Sequence, residues 1–479
     1  MTGIAAAGGY VPRLEITAET YHEATGRFRA RGLEATTVPD ADEDPLTMGY
    51  EAGRRAIDAA DCDPADVDWL GFASSRPPMD EGELSAHLAS MLGLERGAET
   101  VEFRASTRAG TRAIAAGCDA LEARAEVERA LVVAADAPRG APRSALEHAA
   151  GAGAGALVLT SDGATTIEAR SSETRPTHGT RYRPAGEDES RALGITEHDR
   201  SIRRDLARAV LEHLPDRAID TAVLQAPDGD TPYRVARSLG LEEVALALPT
   251  VTAGIGDVGA ASVPLNLAAT LSTDDGGHGL LLGWGDGGAA DGFLIDARQT
   301  PPVNLVPWLF DRSRRRPLEH AAMRARRNVE SGAAPEGGGA YVSIPNWVAG
   351  LSHRYGMRAG RCPDCEAVRF PPGAPCGECG GSAEATPVAL SRTGVIQART
   401  SVARGGAPPE FVPYQEAVGA YDVVIATFET PAGEDVSMPC MFTADGDEPA
   451  IGDPVRATIR RLYTQERVTR YGIKVIPKS

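Results

Sequence analysis

The sequence predicts a layered α/β protein that ends in a small metal-stapled β module. Three features predict it. Short apolar β-like runs alternate with helical stretches through the first 300 or so residues, a paired CxxC cluster follows at 362–379, and alternating polar and apolar runs come after it.

DWLGFAS, RALVVAAD, GALVLTS, TAVLQAP and HGLLLGWG are apolar runs of strand length and read as buried strands. Between them DPLTMGYEAGRRAIDAA, EGELSAHLASMLG, RAGTRAIAAGCDALEARAEV and TPYRVARSLG read as helices. ALVVAADAPRG through GAGAGALVLTSDG has a counterpart in GLLLGWGDGGAADGFLIDA, a glycine-rich turn between strands that makes a coarse internal repeat. Residues 301–345 read as a terminal helix and a glycine-rich linker, with the basic run DRSRRRPLEHAAMRARRN as a solvated amphipathic face. VIQARTSV, VVIATFET and VRATIRRL then alternate as strands of a small closed β-barrel do.

The 479-residue chain is 42% hydrophobic, enough for large cores and roughly two to four domains. It carries no run of about 18 apolar residues, and MTGIAAAGGYVPRLEI has no basic segment leading into an apolar one, so a cytoplasmic location is expected. The formal net charge of −18 argues against nucleic acid as a partner, because phosphate binding rests on cationic neutralisation. Only Lys474 and Lys478 among the 49 basic residues are lysines. No membrane partner is expected.

RCPDCEAVRFPPGAPCGECGG places Cys362, Cys365, Cys376 and Cys379 as two knuckles at the spacing of a tetrahedral four-thiolate site, usually zinc, with iron the minor variant. Cys118 falls on one helical stripe with Ile114 and Leu121 and reads as core. Cys62 and Cys440 carry no catalytic signal.

Within VEFRASTRAGTRAI, Ser106 stands at a tight turn between a β-like run and an alanine-rich helix. A helix N-terminus favours developing negative charge, so that turn suits a nucleophile and its oxyanion. A serine there needs a base, and His148 and His278 are the candidates. The other reading is structural, with Ser106 as the N-cap.

DADEDPLTMGYEAGRRAI, the turn at Ser106, GAGAGALVL, QAPDG, GIGDVGAASVPLNLA and WGDGGAADGF occur in the order and spacing seen in 3-hydroxy-3-methylglutaryl-CoA synthases of the archaeal type, which belong to the thiolase superfamily. The resemblance covers about residues 2–330. It implies a thiolase-like duplicated α/β/α/β/α fold, a CoA thioester ligand between two similar halves, and a homodimer. It also implies an acylated cysteine, a histidine and an asparagine that polarise a thioester, and a glutamate acid-base. Ser106 stands at the cysteine position, Ser75 on or near the glutamate, Gln225 at the histidine and Asp257 at the asparagine.

Gln225 cannot take a proton, and an ionised Asp257 would oppose the charge that condensation develops; Asp286 in WGDGG adds another carboxylate. Cysteine-dependent condensation is therefore not expected.

The C-terminal portion resembles the acyl-CoA-associated zinc-ribbon and OB-fold family known as DUF35, over about residues 340–479. The expected boundaries are thiolase-like halves at 1–165 and 166–330, a linker and helix at 331–350, a rubredoxin-like ribbon at 351–385 and an OB-fold at 386–479. The expected function is acyl-CoA binding as a non-catalytic partner or scaffold, a pseudoenzyme, with a thiolase or synthase as partner. The alternative is an active acyltransferase or carbon-carbon bond-forming or bond-cleaving enzyme using Ser106 or another base.

Overall fold

A computed structural model describes residues 2–177, 181–193, 196–241, 245–246, 249–273, 276–328, 344–373, 375–443, 448–465 and 468–478. The linker expected at 331–350 falls partly outside these residues. The chain divides into two compact units, one built from Met1–Pro39, Asp44–Ala89 and Leu94–Met323, the other from Asp40–Glu43, Ser90–Gly93 and Arg324–Ser479. No helix among the described residues is long and apolar enough to cross a membrane.

The first unit is organised by an eleven-stranded sheet. Its first half supplies β1 (Thr2–Tyr10), β2 (Trp69–Ser74), β3 (Glu99–Arg104), β4 (Ala130–Asp136) and β5 (Gly153–Thr160). The second supplies β6 (Thr165–Thr174), β7 (Thr221–Leu224), β8 (Ala245–Leu246), β9 (His278–Gly285) and β10 (Ala289–Asp296), and β11 (Val303–Leu305) pairs with β1. The order is β8-β7-β9-β10-β6-β1-β5-β4-β2-β3.

Counted outward from the centre, the halves run 1-5-4-2-3 and 6-10-9-7-8, with the same strand directions at each step. This is a duplication, joined where β1 meets β6 antiparallel. The repeat read from glycine-rich turns is β4-β5 and β9-β10, the same pair of positions in each half.

β4 and β5 are buried along their whole lengths, which is why ALVVAAD and GAGALVLT are nearly continuous apolar runs. Helix α1 (Pro45–Ala60) begins in a capping box: Asp44 accepts from the Thr47 amide, Thr47 Oγ1 accepts from the Asp44 amide, and Pro45 takes the first turn. Helix α2 (Ala109–Ala123) follows β3, and α3 (Ser262–Leu271) is buried at every position.

In the second unit, strands at Thr393–Val402, Tyr421–Glu429, Asp435–Phe442, Pro454–Gln465 and Val468–Pro477 close into a barrel. Phe428, Ile396, Val424, Val455 and Val475 fill its interior. Arg358–Arg361, Val368–Arg369 and Thr386–Ala389 form a separate three-stranded sheet around the cysteine knuckles.

Candidate functional site

The functional loops leave the C-terminal ends of strands from both halves. After β3 the chain turns through Ala105, whose φ of +62° is left-handed, into Ser106 and Thr107 before α2 begins. Arg108 is the N-cap and offers no side-chain cap, so the N-cap reading of Ser106 is corrected: its Oγ accepts from the Arg108 amide at 3.2 Å, ahead of the helix. Arg108 holds the turn from the other side through a bidentate pair with the buried Asp291, at 2.8 and 3.1 Å. Gly285, at the end of β9, lies so close that a Cβ there would meet Ser106 Oγ at 2.4 Å. Thr107, which the sequence did not single out, donates to the Trp284 carbonyl at 2.9 Å.

A second convergence centres on Asp136, the last residue of β4, which is fully buried. Its carboxylate accepts from the amides of Ser75, Arg76, Ala137 and Ala260 and from the Ser74 hydroxyl, at 2.9–3.3 Å. One anion therefore ties the loop after β2 to the segment before α3. Gly259 in that segment has φ +51°, and a Cβ would lie 2.1 Å from Asp136 Oδ2 and 3.1 Å from Ser75 Oγ. Gln225, the residue after β7, donates to the Gly259 carbonyl at 2.8 Å, and Asp257 Oδ1 accepts from the Gly259 amide at 2.9 Å. Ser75, Gln225 and Asp257 are thus gathered round one glycine.

Asp257 also contacts Arg181 in an ion pair. Burial lifts the Asp257 carboxyl above its ordinary value, against the pull of Arg181 and the Gly259 amide. The concern that this carboxylate would face a thioester as a bare charge is therefore corrected, because a guanidinium answers it.

Two cavities open on this region. One of about 120 Å³ is lined by Ser75, Arg76, Ser106, Thr107, Arg181, Arg183 and Asp286, among others. The other, about 570 Å³, presents Arg29, Arg31, Arg181, Arg203, Arg204 and Arg234 against two acids, Asp228 and Asp286. Arg181 and Asp286 line both, so the arginine-rich cavity adjoins the serine-lined one.

No histidine is among the described residues lining either cavity. The expectation that His148 or His278 might serve Ser106 is corrected accordingly. His148 is fully buried, stacked on Phe28 at 5.6 Å and near Tyr21, with Nδ1 accepting from the Arg29 amide at 2.9 Å. His278 begins β9, at the opposite end of the strand from Gly285, with its ring 3.4 Å from Glu168.

Burial also holds the His148 pKa below its ordinary 6.5. A histidine depressed in the fold binds its proton more readily when unfolded, so stability falls as pH drops below about 6.5. Comparing unfolding midpoints at pH 7.5 and 5.5 is expected to show a smaller drop in His148→Gln than in wild type.

In the ribbon the four sulfurs lie within 4.8 Å of one another, with Cys362–Cys379 at 3.8 Å and Cys365–Cys376 at 3.7 Å. A tetrahedron with bonds of about 2.3 Å has edges of about 3.8 Å, so the donor set fits a four-thiolate metal. The knuckles are copies. Glu366 donates its amide to the Cys362 carbonyl and Gly380 to that of Cys376, both at 2.9 Å, with Glu366 and Gly380 both left-handed. Elsewhere burial pushes the Cys118 and Cys440 thiols up to about 12, leaving them inert packing groups.

Hydroxymethylglutaryl-CoA synthase of Methanopyrus kandleri is 29% identical over 340 residues, 65% of this chain and 93% of its own. That of Methanosarcina mazei is 30% identical over 307 residues, 61% of this chain and 87% of its own. The chain belongs to the hydroxymethylglutaryl-CoA synthase family. No protein-family model matches it. Among solved structures, a hydroxymethylglutaryl-CoA synthase complexed with CoA superposes with a TM-score of 0.61 at 17% identity, over 71% of this chain and 94% of that one. A 3-oxoacyl-[acyl-carrier-protein] synthase III from Aquifex aeolicus gives 0.54 at 19% identity, over 62% and 100%. These likenesses establish the thiolase-like fold of the first unit.

Proposed function

We propose that this hydroxymethylglutaryl-CoA synthase relative binds an acyl-CoA thioester without carrying out cysteine-dependent condensation, and that it acts as a partner or scaffold in acyl-CoA metabolism. One observation carries the reading: a cavity with six arginines opens beside a pocket whose described lining residues offer the hydroxyls of Ser75, Ser106, Thr107, Tyr182 and Ser190 and the Asp286 carboxylate, with no cysteine or histidine among them. Arginines complement the phosphates of a CoA, and the serine-lined pocket takes the acyl end. The neighbour solved with CoA shares the fold, which supports CoA as the ligand. Among the described lining residues no imidazole is placed to deprotonate Ser106, and a neutral serine does not attack a thioester at a useful rate.

The decisive measurement is intact-protein mass spectrometry after incubation with acetyl-CoA, beside calorimetry with CoA. CoA binding without an adduct is expected. An adduct that disappears in Ser106→Ala would replace this reading with a serine-dependent acyltransferase. Removing two cationic contacts in Arg31→Ala/Arg204→Ala is expected to weaken CoA affinity about tenfold or more and to flatten its salt dependence.

In the ribbon we assign a structural zinc to Cys362, Cys365, Cys376 and Cys379; a metal so held stabilises the fold and takes no part in chemistry. Cys376→Ser is expected to lose the metal, read by elemental analysis, and to expose residues 358–389 to proteolysis. Unbridged cysteines suit the reducing cytoplasm. A homodimer of the first unit, and a thiolase or synthase as partner, complete the proposal.

A further inference from the structure

The imidazole that does not reach Ser106 stands instead behind the wall of the arginine-rich cavity. Two pieces of that wall are the strip Arg29–Arg31 and the short helix Ala145–Ala149, which lines the cavity through Ala145, Leu146 and Ala149. They meet where Ala30 and Leu33 pack with Ala149. His148 belongs to the helix, and its Nδ1 accepts the Arg29 amide at 2.9 Å. The far end of the strip is anchored by backbone: the Arg31 carbonyl accepts from the Gly229 amide at 2.9 Å, and a Cβ on Gly229 would lie 2.1 Å from the Gly32 carbonyl oxygen. The near end is held by a side chain that can titrate.

A ring whose Nδ1 accepts carries its one proton on Nε2, which is buried without a hydrogen-bond partner among the described residues. The rest of the ring is packed against Phe28, at an interplanar angle of 2°, and lies 4.7 Å from the Tyr21 ring. A second proton goes onto Nδ1, where it points at the Arg29 N–H and turns an attraction into a repulsion. Burial opposes the charged ring most and holds its pKa below the ordinary 6.5. Of the groups that face it, Glu147 on the same helix favours the charge, while Arg29 and Arg27 on the loop and His320 oppose it. The Glu147 carboxylate itself accepts from the Arg143 amide.

We propose that His148 is a positioning residue of the CoA cavity: its neutral ring holds the Arg29–Arg31 strip in the wall, and protonation releases the strip, so that acid weakens ligand binding. This rests on the acyl-CoA reading above and goes further by naming the residue through which pH acts on it. Being fully buried, the ring touches no ligand and acts through Arg29. A released strip leaves only a fraction of molecules ready to bind, and apparent affinity falls by that fraction.

Calorimetry with CoA on the full chain at pH 7.5 and 5.0, comparing wild type with His148→Asn and His148→Leu, tests it. Asparagine places Oδ1 as many bonds from the backbone as Nδ1 and accepts without titrating; leucine keeps the bulk and accepts nothing. At pH 7.5 the leucine variant is expected to bind CoA about three- to tenfold more weakly than wild type, the worth of one hydrogen bond, and the asparagine variant to recover most of that loss. At pH 5.0 the CoA phosphomonoester takes up a proton and weakens binding in every form. Wild type is expected to lose about twofold or more beyond the loss in His148→Asn. Hydrogen exchange in peptides covering residues 26–34, without ligand, is expected to quicken in His148→Leu and not in His148→Asn. CoA affinities that do not differ among the three proteins overturn the proposal while binding by wild type upholds the parent reading, and a pH loss equal in wild type and His148→Asn overturns the acid release. Failure of wild type to bind CoA overturns both. If His148→Leu does not fold, the pH comparison between wild type and His148→Asn decides.

Discussion

Asp136→Ala is expected to destabilise the first unit by about 3–5 kcal/mol, because it strips the acceptor from several buried donors at once, each worth about 1–3 kcal/mol when left unsatisfied. Those donors are the amides of Ser75, Arg76, Ala137 and Ala260 and the Ser74 hydroxyl. Asp136→Asn is the sharper probe. The two oxygens divide the work, Oδ1 taking Ser74, Arg76 and Ala137, and Oδ2 taking Ser75 and Ala260. An amide keeps one set and turns an NH₂ toward the other, so roughly half the alanine loss is expected. Denaturant titration followed by hydrogen exchange in peptides from residues 1–323 reads both variants. A loss below about 1 kcal/mol for the alanine variant would mean the loops hold their shape without the carboxylate. CoA affinity is expected to fall as well, since the Ser75 loop and the Asp257 segment lose the anchor they share.

The same residue shows what the sequence could and could not disclose. RALVVAAD was legible as a buried strand, but nothing in the sequence singled out its closing aspartate. Nothing local says that a chain segment 124 residues later will donate to it. The duplicated sheet was legible because burial on both faces imposes apolar runs and the repeat reuses its turn at the same position. The four-cysteine cluster was legible because two CxxC pairs with a short spacer are a local spacing that brings the sulfurs together. The pocket was not: Arg76 comes from the loop after β2 and Arg181 and Arg183 from one segment far along the chain, and the only local hints were FASSRPP and RYR, where arginine interrupts otherwise small or extended residues. His148 misled for a related reason. A histidine before a glycine-rich strand suggests a reactive loop, whereas Phe28 and Tyr21 approach from distant sequence and bury it.

In a chain with two lysines, Lys474 is fully buried, and in the second unit its Nζ lies 2.8 Å from Asp42 and 4.1 Å from the Tyr414 ring centroid. Lys474→Ala is expected to destabilise this unit by about 3–5 kcal/mol, because it leaves a buried carboxylate without its cation. Burial alone would raise the Asp42 carboxyl; the Lys474 and Arg460 charges overcome it and hold it below its ordinary value. A carboxyl depressed in the fold contributes stability above the unfolded value, lost as pH falls through the folded one. The stability gap between wild type and Lys474→Ala is therefore expected to narrow as pH falls through the carboxylate range, because acid removes from wild type the contribution that the variant already lacks. Burial also lowers the Lys474 ammonium, a sign that desolvation offsets much of the attraction. That offset separates the pair's net worth from the cost of breaking it: Lys474→Met/Asp42→Asn is expected to recover most of the stability lost in Lys474→Met alone, with a coupling of about 2–3 kcal/mol in a double-mutant cycle. Additive losses in that cycle would show that the two groups do not act as a pair, and the depression of Asp42 would then belong to Arg460.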